Sequence, residues 1–466
     1  MAVDLQSAQP RVAQPKLSFL SSGTTSTVWR LDGAFEGYVI RLLRPDAELP
    51  FGGVDHLARE VGDEYIRSPL AAVEVDAALL RQIWEAEGNV NSAVLEGVSR
   101  SITEVWYGGK GVTPGRAMGT IELDSTRLPL WPLLQADPPG GAQNVVAARA
   151  VSPPSEPCLC IEIKPKSGIL PIGGPLAKMA PGYCRYCLQE QAKRRKGAPR
   201  SEYCPLDLYS MERHRVERAV KSLLTAPRNN LRVFRREGEV VFGRGAAHEA
   251  QGALAHEMRR EFGHGTRDRD TTDEQWGTDD GWEVALLVDL IANVLLQEPL
   301  LPRLEATQKR STLYAYEALQ KYERACELIG KSNVDLSLKR LLGDGGDEKG
   351  IHSDSQTKAD IERLRAWLLG LSAADVSIMV CLRKIPNQPN GHTQNRGQRP
   401  AGSSPGVVTS SQGFGSVAYR LFVVDAYLKP PSKFAEHARR DEEISLLPFP
   451  QDKPPCTSKV ELRRSH

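Results

Sequence analysis

Two lysines separated by one proline, in the segment Glu162–Lys166, have the residue types and spacing that suit a multiply charged anion. The apolar run before them predicts a mostly buried strand that ends at Ile163. Because side chains two residues apart share one face of a strand, both lysines are expected to project from the same side. Pro165 fixes φ at about −65° and removes a backbone donor, which excludes a central position in a sheet. A solvated strand end with surface lysines is the alternative interpretation.

Two aspartates lie at the ends of apolar runs in the last third of the chain. The runs Asp375–Leu382 and Tyr419–Asp425 predict a β-hairpin. Carboxylates on adjacent apolar strands are costly to bury unless cations or a metal ion pair with them, so the pattern indicates a charged site. The alternative is that each aspartate caps a strand end. Residues 384–416, rich in Pro, Gly, Asn, Gln and Ser, are predicted to be a disordered loop.

A short loop of small polar residues, 21–27, lies between predicted strands at 17–20 and 28–31, and a third strand is predicted at 38–43. The backbone N–H groups of such a loop can bind phosphate. The loop has neither the Gly-Lys-Ser/Thr of a Walker loop nor the repeated glycines of a protein-kinase loop. An ordinary hairpin turn is the alternative interpretation.

Cys184 and Cys187 have Cys-x-x-Cys spacing, which raises a zinc site with Cys204 and His214 as candidate further ligands. The spacing to those residues is irregular and no second Cys-x-x-Cys follows, so packed free thiols are expected and a structural metal is not. Eight cysteines in 466 residues are too few for a disulfide framework. Within the basic run Lys193–Lys196, a nuclear-import patch or a solvated face is the preferred interpretation of Arg194, Arg195 and Lys196, and the run lacks the interleaved aromatics of an RNA-binding module.

Length and composition predict two lobes rather than one core, because 466 residues exceed what one hydrophobic core usually organises. The net charge is only +2, so a site for a polyanion has to concentrate its cations locally. No apolar run approaches the roughly 20 residues of a membrane-spanning helix, and an intracellular protein outside the membrane is expected. Helices are predicted at about 211–224, 281–308, 312–329 and 356–371, and a variable insertion at 237–280.

Six sequence blocks occur in the order found in the inositol-pentakisphosphate 2-kinases, a family that this chain resembles over about residues 17–440. The first block matches the family's EIKPK signature and the second its RYC element. The blocks are Glu162–Lys166, Tyr183–Cys187, Pro205–Ser210, Pro227–Phe234, Asp375–Met379 and Asp425–Pro430.

The resemblance implies an α+β, two-lobed kinase-like fold. Residues 1–157 would form a small N-lobe with an antiparallel sheet, the nucleotide loop and the hinge, and residues 158–466 a larger mixed C-lobe with inositide-binding insertions. The implied reaction is ATP-dependent phosphorylation of the 2-hydroxyl of inositol 1,3,4,5,6-pentakisphosphate to give inositol hexakisphosphate. The acidic hinge residue that contacts adenine in the family has no counterpart in Val145–Ala150.

The resemblance also assigns roles to single residues. Asp375 would accept the proton of the 2-hydroxyl, Lys164 would assist catalysis, and Asp375 and Asp425 would hold Mg²⁺. ATP contacts are implied for Gly23, Thr24, Thr25, Ser26, Val28, Arg41, Glu162, Arg232 and Met379. Inositol phosphate contacts are implied for Lys164, Lys166, Lys193, Asn229, Asn230, Lys429, Lys433 and His437. Lys433 stands where some members have arginine, and His437 where some have tyrosine.

ATP and Mg²⁺ are the implied cofactors, and inositol pentakisphosphate is the implied partner. The chain is expected to be a monomer in the nucleus and cytoplasm, without a membrane or direct nucleic-acid partner. An alternative of another class is a catalytically weak adaptor that binds inositol phosphates. Glu162, Asp375 and Asp425 are all present, which argues against the adaptor.

Overall fold

A computed structural model describes the chain in segments, which divide between two compact units. The first unit comprises Met1–Leu49 and Ser68–Ser155, and the second Pro50–Arg67 and Glu156–His466. The described residues are 17–22, 26–31, 38–43, 54–62, 65, 71–75, 117–123, 159–199, 201–235, 240–243, 247–263, 281–334, 338, 354–385, 406–411, 415–426, 428–447 and 455–456.

The described part of the first unit is a five-stranded antiparallel sheet in the order β1-β2-β3-β5-β4. Its strands are β1 (Leu17–Ser22), β2 (Ser26–Leu31), β3 (Tyr38–Leu43), β4 (Ala71–Val75) and β5 (Ala117–Leu123). The sequence predicted strands at 17–20, 28–31 and 38–43, and the structure confirms all three as β1, β2 and β3. The phosphate-loop residues Gly23, Thr24 and Thr25 lie outside the described residues, as does Val145–Ala150.

Helix α1 (Val54–Val61) packs with the second unit, although the sequence placed residues 1–157 together in an N-lobe. Leu57 and Val61 are buried, and Arg303 donates a hydrogen bond from Nη1 to the Val61 carbonyl oxygen at 2.8 Å. The helix presents one apolar face, and that face is covered by residues far along the chain. The boundary therefore depends on tertiary contacts rather than on chain order.

The second unit contains a six-stranded antiparallel sheet in the order β10-β11-β9-β6-β7-β8. Its strands are β6 (Leu159–Ile163), β7 (Leu231–Arg235), β8 (Val240–Phe242), β9 (Ser377–Lys384), β10 (Gly406–Thr409) and β11 (Ser416–Val424). Every residue of β6 is buried, which explains why its sequence is an apolar run rather than a strict alternation. The predicted hairpin of β9 and β11 is confirmed.

Ten further helices are described in the second unit, so the α+β class is confirmed. They are α2 (Gly174–Met179), α3 (Arg185–Arg195), α4 (Pro205–Leu208), α5 (Arg213–Thr225), α6 (Ala247–Phe262), α7 (Trp282–Gln297), α8 (Leu300–Lys309), α9 (Ala315–Ile329), α10 (Ser355–Ala374) and α11 (Ser432–Ser445). Helix α7 is apolar on nearly all sides, as expected of a helix in the middle of a core.

The predicted helix at 281–308 is two helices, α7 and α8. Pro299 lies between them, and a proline disfavours helical geometry in the residue before it. Within the described residues no single helix is long and apolar enough to span a membrane; α7 and α8 pass that test only together, across a bend of 62°.

The predicted disordered loop 384–416 was wrong where the structure describes it, because β10 pairs with β11. Within 237–280, β8 and α6 are regular, and α6 buries Leu254, Met258 and Phe262 at helical spacing. That these residues form a variable insertion stays a prediction. Asp289 accepts hydrogen bonds from Ser410 Oγ at 3.1 Å and from Ser411 N–H at 2.9 Å, so a buried carboxylate fixes the turn after β10.

Candidate active site

Strand pairing brings Glu162, Arg232 and Met379 side by side in the middle of the second sheet. Glu162 on β6 is directly opposite Arg232 on β7 and Met379 on β9. The Glu162 side chain is almost fully buried, and Arg232 donates a hydrogen bond from Nε to its Oε2 at 2.6 Å. A buried carboxylate is tolerated only when it is paired, so Arg232 explains how Glu162 can lie within an apolar strand.

Asp425 follows the last residue of β11 and approaches Glu162 through a shared serine. Ser377 Oγ lies 2.8 Å from Glu162 Oε1 and 3.2 Å from Asp425 Oδ2. A hydroxyl has one proton and can donate it to only one of these carboxylates at a time. Lys164 Nζ lies 3.9 Å from both carboxylates and supplies further positive charge. Asp425 has a φ of 58°, a left-handed conformation that aspartate adopts more readily than most residues.

These oxygen ligands fit a small hard cation. Mg²⁺ prefers carboxylate oxygens and is usually held by one or two of them together with substrate phosphates. Glu162 Oε1 and Asp425 Oδ2 both lie within reach of one serine hydroxyl, whereas Arg232 pairs with the other oxygen of Glu162, Oε2, and Lys164 is 3.9 Å from both carboxylates. The donor set of this cluster is therefore suitable for Mg²⁺.

Asp375 lies between two lysines at the end of α10. Its Oδ1 is 2.9 Å from Lys166 Nζ and its Oδ2 is 2.8 Å from Lys429 Nζ. Burial raises the pKa of Asp375, but the charges of Lys429 and Lys166 outweigh burial and hold the pKa below its ordinary value. Asp375 is therefore ionised throughout the physiological pH range.

Lys166 has a φ of 63°, so the extended geometry of β6 does not continue through it. The expectation that Lys164 and Lys166 act together from one strand face was too simple. Lys164 approaches Glu162 and Asp425, whereas Lys166 pairs with Asp375.

A cavity of about 670 Å³ lies in front of Asp375, and most of the predicted inositol phosphate residues line it. The lining includes Lys166, Lys193, Asn229, Asn230, Lys429, Lys433 and His437. Lys164 is not part of the lining; it lies with Glu162 and Asp425. These cations come from several distant segments, so folding brings them together. The cavity is therefore locally positive although the net charge of the chain is only +2.

Arg185 also lines the cavity and was not among the predicted ligands. Its Nε donates a hydrogen bond to Asp441 Oδ1 at 2.5 Å, and no described residue accepts a hydrogen bond from its buried Nη2. Arg185 precedes Lys193 by eight residues on α3, which places both on one face of the helix. That spacing, together with the position of Arg185 in the RYC element, could have identified Arg185 as a further cavity residue from the sequence.

Lys193 and Asn230, like the lysines beside Asp375, have partners in the cavity wall. Lys193 Nζ is 2.7 Å from the carboxylate of Glu190, one turn earlier on α3. Asn230 donates a hydrogen bond from Nδ2 to Tyr186 Oη at 2.6 Å. These contacts hold both side chains at the wall, and a bound anion would compete with Glu190 for Lys193.

His437 is half-buried on α11, with its ring edge-on to Trp367. Burial and the charges of Arg185, Arg440 and Lys433 lower the pKa of His437 to about 2. His437 is therefore neutral at physiological pH and can donate one hydrogen bond to a ligand.

The segment that presents Lys166 is fixed by polar contacts that the sequence did not reveal. Tyr203 donates from its hydroxyl to the Pro165 carbonyl oxygen at 2.6 Å, and Gly168 N–H donates to Gln308 Oε1 at 2.8 Å. Gln308 in turn donates to the Tyr209 hydroxyl at 3.1 Å. These residues are distant in sequence, so no local pattern connects them.

We expect Gly168→Ala to destabilise the protein, because a Cβ atom at position 168 would lie 2.3 Å from the ring of buried Tyr209. Overpacking of this kind costs about 1–3 kcal/mol, and we expect thermal denaturation to show a lower Tm. Gly197→Ala is the control for the assay, since a Cβ there meets nothing within 4 Å, although its φ of 84° adds backbone strain. An unchanged Tm in Gly168→Ala would contradict the close packing.

Of the predicted ATP residues, Ser26, Val28 and Arg41 belong to the first unit. Ser26 begins β2, and Val28 on β2 is paired directly with Arg41 on β3. Glu162, Arg232 and Met379 belong to the second unit. The assignment of all six residues to ATP stays a prediction.

Comparison with known proteins was consistent with the residue pattern. A family model described as inositol-pentakisphosphate 2-kinase matches residues 109–443. The chain is 26% identical over 302 residues to "Inositol-pentakisphosphate 2-kinase IPK1" of Oryza sativa subsp. indica, covering 63% of this chain and 61% of that protein. It is 24% identical over 299 residues to the Arabidopsis thaliana inositol-pentakisphosphate 2-kinase, covering 62% and 59%. A shorter match to the Danio rerio protein of that name is 42% identical over 89 residues, 18% of each chain. The chain thus spans about three fifths of the length of the plant relatives that it matches.

Proposed function

Because this chain belongs to the inositol-pentakisphosphate 2-kinase family, we propose that it transfers a phosphoryl group from ATP to the 2-hydroxyl of inositol 1,3,4,5,6-pentakisphosphate. The observation that carries the proposal is the cavity in which Lys166 and Lys429 converge on Asp375. A polyphosphate needs several cations, and a phosphoryl acceptor needs one base near its hydroxyl. This cavity combines both requirements in one place.

The proposal includes the finer fold assignment, in which the first unit is the small N-lobe of a kinase-like fold and the second the C-lobe with inositide-binding insertions. It also includes monomeric action in the nucleus and cytoplasm, without membrane or direct nucleic-acid partners. Exposure of the basic residues 193–196 supports a surface patch that an import receptor could bind.

In the proposed reaction the oxygen of the 2-hydroxyl forms a bond to the γ-phosphorus of ATP, and the bond between that phosphorus and the β-phosphate oxygen breaks. ADP leaves, and the hydroxyl proton passes to Asp375. Phosphoryl transfer depends mainly on positioning and on charge neutralisation, so one weak base and several cations suffice.

Asp375 is a poor base while Lys166 and Lys429 both contact it, because their charges favour the ionised carboxylate. Phosphates of the substrate would compete with Asp375 for the same two ammonium groups. Loss of either ion pair raises the pKa of Asp375 and strengthens it as a base. Substrate binding would therefore free and activate the base in one step.

The sequence prediction gave Mg²⁺ to Asp375 and Asp425, but Asp375 is paired with Lys166 and Lys429. We therefore assign Mg²⁺ to Asp425 and Glu162, with Ser377 between them. Mg²⁺ bound with ATP would neutralise charge that develops on the transferred phosphoryl group. Lys164, 3.9 Å from both carboxylates, is placed to orient phosphate oxygens near the same cluster. The adaptor alternative is not favoured, because it would not require this intact set of carboxylates.

The test is an assay of purified protein with Mg-ATP and a panel of inositol phosphates, with products resolved by the position of the new phosphate. We expect the pentakisphosphate to become the hexakisphosphate. Inositol 1,4,5-trisphosphate lacks two of the five phosphates of the pentakisphosphate, and each missing phosphate removes charge-assisted hydrogen bonds worth about 1.5–3 kcal/mol. Its kcat/KM should accordingly be about 10²–10⁴-fold lower.

Comparable turnover of the two substrates would contradict the assignment of the lysines to substrate phosphates. Tight binding of the pentakisphosphate without turnover would instead favour the adaptor.

A further inference from the structure

Glu190 lies behind the wall of the cavity and contacts one of the cations that line it. Arg185, Gln189 and Lys193 follow one another along one face of α3 and line the cavity. Glu190 occupies the next position after Gln189 and is buried, with its Oε1 2.7 Å from Lys193 Nζ. The Lys193 side chain is 57% exposed and that of Glu190 only 9%. The pair therefore joins an accessible ammonium group to a carboxylate that is withdrawn from solvent.

A second cation, Arg228, lies near the other oxygen of Glu190. Its Nη2 is 3.6 Å from Glu190 Oε2, which is too long for a hydrogen bond. Among the described residues, none forms a hydrogen bond with Glu190 Oε2 or with the buried Nε and Nη2 of Arg228. Arg228 has a φ of 50°, in the left-handed region, and directly precedes Asn229 and Asn230. Glu190 thus has two cations beside it, and of the two only Lys193 is within hydrogen-bond distance.

A ligand that takes Lys193 leaves the buried carboxylate of Glu190 without its nearest partner. An unpaired buried charge is strongly unfavourable, so release of Lys193 requires another cation for Glu190. Arg228 can supply it. Charge-assisted N–O hydrogen bonds are about 2.7–2.9 Å long, so an approach of roughly 0.8 Å completes the pair of Arg228 and Glu190. Arg228 therefore makes it easier for Glu190 to give up Lys193.

We propose that Glu190 and Arg228 are positioning residues that control whether Lys193 binds a substrate phosphate. The inference rests on the proposed function and deepens it. Without substrate, Glu190 holds Lys193 at the wall and neutralises it. A phosphate group, with roughly two negative charges near pH 7, outcompetes the single charge of Glu190, which then pairs with Arg228. A hydroxyl group at the same position of the inositol ring carries no charge, so Lys193 stays with Glu190. Lys193 thus contributes to binding only when that ring position is phosphorylated.

The neighbouring pair of Arg185 and Asp441 works differently. Arg185 has several N–H groups in a planar fork, so it can keep Nε on Asp441 and still offer other N–H groups to a ligand. Lys193 has one ammonium nitrogen, on which Glu190 and a phosphate compete directly. Asp441 therefore orients its cation, whereas Glu190 withholds one.

Glu190→Gln keeps the size of the side chain and removes the charge that Lys193 has to leave. We expect the Kd for inositol pentakisphosphate, measured by calorimetry without ATP, to fall about 2–10-fold. The kcat should change less than about twofold, because the substitution acts on binding and not on the transfer step. Calorimetry needs no turnover, so the binding result does not depend on kinase activity.

Arg228→Asn removes the cation that would receive Glu190, and asparagine tolerates the left-handed φ of 50°. We expect the Kd to rise about 2–10-fold. In the double variant with Glu190→Gln, the Kd should return to that of Glu190→Gln alone, because Arg228 acts only through Glu190. An Arg228 that merely held the turn, or attracted the substrate by its charge, would weaken binding equally in both backgrounds.

Two further variants complete the experiment. In a Lys193→Met background, Glu190→Gln should leave the Kd unchanged, since no ammonium group remains to be released. Glu217→Gln is the matched control, because it removes the same charge from a pair with Arg213 on α5, and neither of those residues is among the described residues that line the cavity. Its Kd should stay within about twofold of the wild-type value.

The outcomes separate this inference from the proposed function. Wild-type protein that binds no inositol pentakisphosphate would overturn both. Binding without turnover would overturn the kinase activity alone, and the expected order of Kd values would then still support the inference. Normal wild-type binding and turnover, with an unchanged or raised Kd in Glu190→Gln, would overturn the inference alone. Equal weakening by Arg228→Asn with and without Glu190→Gln would do the same.

Discussion

Asp375→Asn is expected to lower kcat by about 10²–10⁴-fold, because asparagine keeps the size of the side chain but cannot accept the hydroxyl proton. The structure adds a second expectation. With the carboxylate gone, Lys166 and Lys429 no longer have an anion between them. The affinity for inositol pentakisphosphate should therefore stay the same or increase. Steady-state kinetics, with direct binding by calorimetry, separate the two quantities.

Asp441→Asn is the matched control for that result. Asp441 also lines the cavity but pairs with Arg185 rather than with either of the lysines that contact Asp375. We expect it to raise KM for the inositol phosphate and to leave kcat nearly unchanged. A near-normal kcat in Asp375→Asn would favour the alternative interpretation of the sequence, in which Asp375 only caps a strand end.

The parts of the site that lie on single strands were predictable from the sequence. The apolar run up to Ile163 and the runs after Asp375 and before Asp425 located β6, β9 and β11. The lysines and asparagines of the cavity were found because short blocks match a known family. Local periodicity and local motifs carry this information, since they depend on neighbouring residues.

The remaining features depend on contacts between distant residues. Ser377 on β9 lies near two carboxylates because β9 pairs with β6, which carries Glu162, and with β11, which Asp425 follows. Cys456 reaches Cys184 only through the fold of the whole unit. Helix α6 was not predicted for a different reason. Its sequence is mostly polar, and only Leu254, Met258 and Phe262, at helical spacing, form its buried face.

The left-handed backbone at Lys166 and Asp425 was also invisible to sequence reasoning. Both residues have positive φ values, which are uncommon for residues other than glycine and recur at functional sites. Asp425 directly follows β11 and Lys166 lies three residues after β6, and in each case the charged side chain turns toward the carboxylate cluster or the cavity. The strands were predicted, but the turns that aim these side chains were not.

Asp425→Asn should differ in kind from Asp375→Asn, because Asp425 belongs to the proposed metal cluster rather than to the hydroxyl site. Asparagine tolerates the left-handed φ of 58°, so the backbone should be preserved while one negative charge near Glu162 is lost. The remaining carboxylate would hold Mg²⁺ more weakly, so ATP affinity should depend strongly on Mg²⁺ concentration. Part of the lost rate should then return at high Mg²⁺.

The Mg²⁺ dependence of Asp425→Asn has to be compared with that of two other variants, Lys433→Ala and Asp375→Asn. Lys433→Ala removes a cavity cation that pairs with Glu436 and contacts neither aspartate in the described structure. It should raise KM for the inositol phosphate without changing the Mg²⁺ dependence. Asp375→Asn should show little recovery at high Mg²⁺, since its defect is the missing proton acceptor. Equal recovery of both aspartate variants would mean that the two carboxylates share one role, and the separation between the lysine-held base and the serine-bridged metal cluster would be wrong.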